Sequence, residues 1–89
     1  MTVILDVRTP DEFAGGHLDT AINIDVNGPD FESAIAELPK DETIQVYCQM
    51  GGRARIAAGI LEEAGFAEVE SIGGLGDAAA ATGLPIVTD

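Results

Sequence analysis

Residues 45–61, QVYCQMGGRARIAAGIL, hold the chain's only cysteine and two of its four basic residues. Cys48 ends a β-branched, apolar run, and Gln49, Met50, Gly51, Gly52 and Arg53 lead from it into a helical pattern. A lone cysteine is ordinarily a small buried hydrophobe. Three local features argue otherwise here. Glycines let successive backbone N–H groups turn inward into a concave anion site, and a helix N-terminus adds partial positive charge. A thiol in such a place has its thiolate stabilised and becomes a nucleophile near neutral pH. Arg53 falls in the first helical turn, where a cation is disfavoured by about 0.3–1 kcal/mol. No acidic residue occurs from Thr43 to Leu61, although the chain carries 16. The loop therefore looks built to hold an anion over a reactive, partly exposed thiolate, whereas Arg55 reads as a solubilising charge on the outer side of the helix.

The surrounding pattern supplies a scaffold for that loop. Thr2 to Val7 suits a strand buried on both faces. Thr9-Pro10-Asp11-Glu12 is a capping box with Pro at the first helical position, and Gly15-Gly16 ends that short helix. Ala21 to Ile24 reads as a second strand, Asn27-Gly28-Pro29 as a turn, and Phe31 to Leu38 as a helix capped by Asp30. Thr43 to Tyr47 is a third strand. Arg53 to Ala64 is the longest helix, with Ile56, Ile60, Leu61 and Ala64 on its apolar face and Gly65 as the stop. Ala67 to Ser71 forms a fourth strand, Asp77 to Thr82 a last short helix, and Pro85-Ile86-Val87 a tail. Strands alternating with helices predict an α/β fold: a small open parallel sheet of four or five strands with helices on both faces. Ligands bind beyond the carboxyl ends of such strands, where Cys48 sits.

Composition narrows the function further. Eighty-nine residues make one domain, read here as spanning 1–89. One cysteine cannot form an internal disulfide. A formal net charge of −12 opposes binding to nucleic acid or anionic lipid. No apolar run approaches the roughly 18 residues of a membrane span, and Met1 leads into Thr2-Val3-Ile4-Leu5 without a basic secretory region. A cytoplasmic monomer is expected, or a periplasmic protein if a signal has been removed.

The order and spacing of several segments resemble the rhodanese-homology domain. They are Leu5-Asp6-Val7-Arg8 with Glu12-Phe13, Gly16-His17-Leu18, Ala21-Ile22-Asn23-Ile24 and Val46-Tyr47-Cys48 with the glycine loop through Arg53. Ala57, Leu61, Gly65-Phe66 and Gly73-Gly74-Leu75 complete the set. The similarity covers nearly the whole chain and is nearest to the short, single-domain thiosulfate sulfurtransferases of phage-shock type. It implies a six-residue active-site loop, Cys48 to Arg53, whose amides embrace a cysteine persulfide. Cys48 would be the nucleophile. The amides of Gln49, Met50, Gly51, Gly52 and Arg53 would hold the bound sulfur, and the Arg53 side chain would bind a sulfonate or close the loop. The substrates implied are a small anionic sulfur donor such as thiosulfate and a thiol or cyanide acceptor, with no cofactor and no metal. Three positions depart from the family pattern: Gln49 where Arg is frequent, Asp19-Thr20 where Pro-Gly is frequent, and the Asp77-Ala78-Ala79 region where a Trp is common.

Asp6 and Arg8 read as a structural charge pair near the loop, and His17 as a turn-fixing hydrogen bond. Met50 is either an apolar wall of the pocket or an exposed side chain. Two other functions compete with sulfur transfer. One is a cysteine-dependent phosphatase or arsenate reductase, whose loop resembles this one with a further residue before the Arg; the shorter spacing here favours sulfur. The other is a non-catalytic binding or sulfur-carrier module, against which the presence of Cys48 counts.

Overall fold

The computed structural model describes residues 1–88. In chain order the elements are β1 (Thr2–Asp6), α1 (Pro10–Ala14), β2 (His17–Leu18), β3 (Ile22–Asn23), α2 (Phe31–Ile35), β4 (Thr43–Tyr47), α3 (Gly52–Glu63), β5 (Glu68–Ser71), α4 (Leu75–Thr82) and β6 (Ile86–Val87). Four of the strands form one parallel sheet in the order β3-β1-β4-β5, matching the α/β architecture expected. The register of the central pair runs from Thr2 opposite Thr43 to Asp6 opposite Tyr47. Both strands therefore end level with each other, and Val7-Arg8 emerges beside Cys48.

Side chains alternate across a strand, so each central strand feeds two cores. Leu5, Val7, Ile44 and Val46 pack against Phe31 and Ile35 of α2, Ala54, Ala57 and Leu61 of α3, and Phe66. On the opposite face, Ile4 and Tyr47 pack with Leu18 of β2 and Ala78 of α4. Burial of a leucine such as Leu5 or Leu61 contributes about 1.5–3 kcal/mol. Tyr47 is satisfied as well as buried: its hydroxyl accepts from the Leu18 N–H at 3.0 Å.

Several local expectations are met. The capping box is formed, with the Glu12 N–H donating to Thr9 Oγ1 at 3.2 Å and the Thr9 N–H to Glu12 Oε1 at 3.1 Å. Strand β4 has the predicted bounds, and Gly65 follows the last turn of α3.

Others need correction. The buried face of α3 is Ala54, Ala57 and Leu61, while Ile56 is 63 % exposed. At 3.6 residues per turn Ile56 stands about 200° round the helix from Ala54 and about 100° from Ala57, so burying that face turns Ile56 outward. Helix α2 stops at Ile35, and the Asp30 carboxylate makes no capping bond; Ser33 Oγ donates instead to the Asp30 carbonyl at 3.0 Å. Helix α4 starts at Leu75, two residues early, with the Gly74 N–H donating to the Asp77 carboxylate at 3.3 Å. The tail is also more than a tail. Strand β6 pairs antiparallel with β2, setting His17 opposite Val87 and Leu18 opposite Ile86.

Candidate active site

Cys48 is the first residue past β4. Its N–H donates to the Gly73 carbonyl at 3.1 Å, which extends the backbone ladder one step beyond the strand. The chain then turns through Gln49, Met50 and Gly51 into α3. Gly51 has φ of 111°, a left-handed conformation that favours glycine and lets the loop close on the sulfur. The Gly51 N–H lies 2.9 Å from Cys48 Sγ and the Ala54 N–H 3.4 Å from it, both donating.

The thiol is 1 % exposed, and so more deeply buried than its sequence context suggests. Cys48 continues the alternation of Ile44 and Val46 and points to the same face of the sheet. Burial pushes its pKa up, yet the amides of Ala54, Gly51, Met50 and Arg53 favour the thiolate enough to leave it below the ordinary thiol value. These donors overlap the predicted run Gln49–Arg53 without coinciding with it. Ala54, one residue beyond the loop, contributes, because the N-terminal turn of α3 directs its free N–H groups at the sulfur.

Two elements hold this loop from outside. On one side lies Gly73-Gly74. Met50 forms an isolated antiparallel bridge with Gly74, and a Cβ on Gly74 would sit 2.3 Å from the Gln49 carbonyl oxygen. On the other side is Arg8, 2 % exposed and paired with the fully buried Asp6. Its Nε donates to both Asp6 oxygens at 3.0 Å and its Nη2 to Asp6 Oδ2 at 2.6 Å. The same guanidinium donates to the Gly16 carbonyl at 2.7 Å and, through Nη1, to Gln49 Oε1 at 2.9 Å. The predicted charge pair is thus present, and it also grips the residue after the cysteine. Sequence patterns offered no sign of that second contact, because its partners lie 41 residues apart. The double glycine at 73–74 was the one visible hint of a close backbone approach.

Arg53 lies in the first turn of α3, as expected, and its side chain turns to α1. Its Nη1 donates to Glu12 Oε1 at 2.7 Å and its Nη2 to Glu12 Oε2 at 3.0 Å. This fork, with the Thr9 N–H, holds the Glu12 carboxyl at about 2, well below the usual range. Met50 is 88 % exposed, and Gln49, Gly52 and Arg55 are exposed as well. His17 Nδ1 lies 2.8 Å from the Phe13 carbonyl, and its ring stacks on Phe13 at 3.7 Å between centroids. That contact fixes the α1–β2 turn. Among the described residues no helix is long and apolar enough to cross a membrane.

A thiolate cradled by amides between a parallel strand and a helix can attack a soft electrophile and keep the product anion in place. Comparison with known proteins agrees with this chemistry. The family model of the rhodanese-like domain matches residues 1–76. The thiosulfate sulfurtransferase PspE of Escherichia coli K12 is 39 % identical over 75 residues, covering 84 % of this chain and 72 % of that protein. The chloroplastic thiosulfate sulfurtransferase 16 of Arabidopsis thaliana is 41 % identical over 91 % of this chain and 76 % of its own length. Among solved structures, one described as a rhodanese with anions from E. coli superposes with a TM-score of 0.83 at 34 % identity, with both chains fully covered. The chain belongs to the rhodanese-like domain family.

Proposed function

We propose that this protein is a sulfurtransferase that takes a sulfane sulfur from thiosulfate or a similar donor onto Cys48 and passes it to a thiol or cyanide. The observation that carries this reading is the Cys48 sulfur held by the Gly51 and Ala54 N–H groups at the carboxyl end of β4. In the first step the thiolate attacks the outer sulfur of thiosulfate. A new S–S bond forms, the S–S bond of the donor breaks, and sulfite leaves with its electron pair. The terminal sulfur now carries the negative charge, which the N–H groups of the loop and of the first turn of α3 stabilise. In the second step an acceptor thiolate or cyanide attacks that sulfur, and the Cys48 thiolate is released. Atoms and charge balance in both steps without a cofactor.

The names of the similar proteins support the donor assignment, and the six-residue spacing from Cys48 to Arg53 supports sulfur over phosphate. A single catalytic thiol that must stay reduced suits the cytoplasm, where we place the protein as a monomer. Initial rates measured with thiosulfate and cyanide varied together test the scheme. Parallel double-reciprocal lines are expected. Intersecting lines, or full turnover by Cys48→Ser, would overturn the two-step covalent route.

A further inference from the structure

The two guanidinium groups that reach the loop both arrive with a carboxylate attached. Arg8 is forked onto Asp6 inside the protein, and Arg53 onto Glu12 at the surface. Gln49, at the position where an Arg would add charge, is neutral, and its side-chain oxygen is already occupied by Arg8. Asp25 adds a further negative charge near Arg53. The remaining cations stand elsewhere: Lys40 lies over the Phe66 ring, and Arg55 is exposed on α3. What remains to hold an anion is the ring of backbone amides, which suits the single charge of a persulfide. A sulfonate donor brings two charges and would have to compete with Glu12 for Arg53.

We propose that Glu12 determines donor specificity. By occupying Arg53, it turns the site away from dianionic sulfonate donors and towards organic persulfides, whose transferable sulfur arrives on an uncharged or singly charged group. The inference rests on the sulfur-transfer reading and narrows its donor. With an organic persulfide the Cys48 thiolate attacks the terminal sulfur, the R–S–S bond breaks, and the thiolate RS⁻ leaves with its electron pair. The proton of the donor stays on the newly bound sulfur or passes to water. No step requires Arg53 to leave Glu12. With thiosulfate, the leaving sulfite carries two charges past a carboxylate.

Glu12→Gln is the direct test, because a glutamine at the third helical position keeps the capping box while the pair with Arg53 gains one positive charge. Loading of the intact protein by one sulfur atom is timed by mass spectrometry, with thiosulfate and with 2-hydroxyethyl persulfide as donors. The wild-type protein should load faster from the persulfide. Glu12→Gln should raise the ratio of thiosulfate to persulfide rates about tenfold, the scale of one charge acting on a dianion across a few ångströms of wet surface. Arg53→Gln, which leaves Glu12 unpaired, should lower that ratio, and Arg55→Ala should leave it unchanged. A ratio that stays constant or falls in Glu12→Gln overturns the proposal, as does a ratio that falls in Arg55→Ala, since the donor's cation would then be Arg55. If the wild-type protein loads from both donors yet Glu12→Gln changes nothing, only the role of Glu12 fails. If neither donor loads the wild-type protein, the sulfur-transfer reading fails with it.

Discussion

Arg8 Nη1 donates to Gln49 Oε1 at 2.9 Å, joining the end of β1 to the residue after the cysteine. Because Arg8 is also locked onto buried Asp6, the loop is tied to the sheet by a group that cannot easily move. Gln49→Ala removes the tie from the exposed end. We expect stability to change by less than about 0.5 kcal/mol, as for other exposed positions, and kcat/KM to fall a few-fold as the loop loosens. Arg8→Met instead leaves Asp6 as an uncompensated buried charge and should cost about 3–5 kcal/mol. Urea melts and kinetics on the two variants separate these effects. Equal stability losses would contradict the assignment.

Gly74→Ala places a methyl group 2.3 Å from the Gln49 carbonyl oxygen, so backbone must shift. A loss of about 1–3 kcal/mol is expected, together with a drop in kcat, because the displaced strand of loop carries Cys48. Gly59→Ala serves as the contrast. It lies inside α3 with open space where its Cβ would go, and should stabilise by about 0.5–1 kcal/mol with activity intact. Thermal midpoints that fall in both variants would show that the close approach at Gly74 is not the cause.

How far the sequence reached is visible in these same residues. Strand β4, the capping box at Thr9 and the strand–cysteine–glycine–helix order were legible because each depends on neighbours within a few positions. The burial of Ala54 and Ala57 in place of Ile56 was not, since small core residues give no hydrophobic peak and their exposure depends on how close the helix lies to the sheet. The pairing of β2 with β6 was equally hidden, because two-residue strands are too short to alternate. At the site, the cysteine and its loop were readable. The partners of Arg8 and Arg53 were not, for Gln49 and Glu12 each stand 41 residues from them. A cation in the first turn of α3 was read as a sign of an anion. The anion found there is the protein's own carboxylate.

Two groups give the protein a signed pH response. The Cys48 pKa is lowered on folding, so thiolate formation contributes stability that is complete above the ordinary thiol value of about 8.5 and is lost as pH falls through the folded value. Ultraviolet absorbance of the thiolate, taken as wild type minus Cys48→Ser, should therefore titrate at lower pH in the folded protein than in the urea-unfolded chain; a folded midpoint at or above the unfolded one would contradict the amide cradle. Glu12 behaves likewise at the acid end. Its folded pKa of about 2 means that its contribution persists above its unfolded value and disappears as pH falls towards 2. Since the pair is part-exposed, the effect should be at most about 1 kcal/mol. Glu12→Gln should flatten the stability profile in that window only.

Arg53→Ala removes a cation that the helix N-terminus disfavours and a surface ion pair of small worth, so stability should stay within about 0.5 kcal/mol of wild type. It also leaves the Glu12 carboxylate unpaired near the loop. Thiosulfate turnover should fall about tenfold, the scale of one unpaired carboxylate acting on a dianion across a few ångströms of wet surface, and removing Glu12 as well should restore part of it. Chemical denaturation and kcat/KM on the single and double variants check this. A protein that unfolds yet keeps its activity per folded molecule would make Arg53 purely structural.

The central claim is that sulfur passes through a covalent bond to Cys48. Intact-mass spectra of wild type and Cys48→Ser, recorded after incubation with thiosulfate and again after adding cyanide, test it most directly. The wild-type protein should gain one sulfur atom and lose it to cyanide, while Cys48→Ser, folded to the same thermal midpoint, should gain none. Sulfur found on Cys48→Ser, or sulfur on wild type that cyanide cannot remove, would contradict the account.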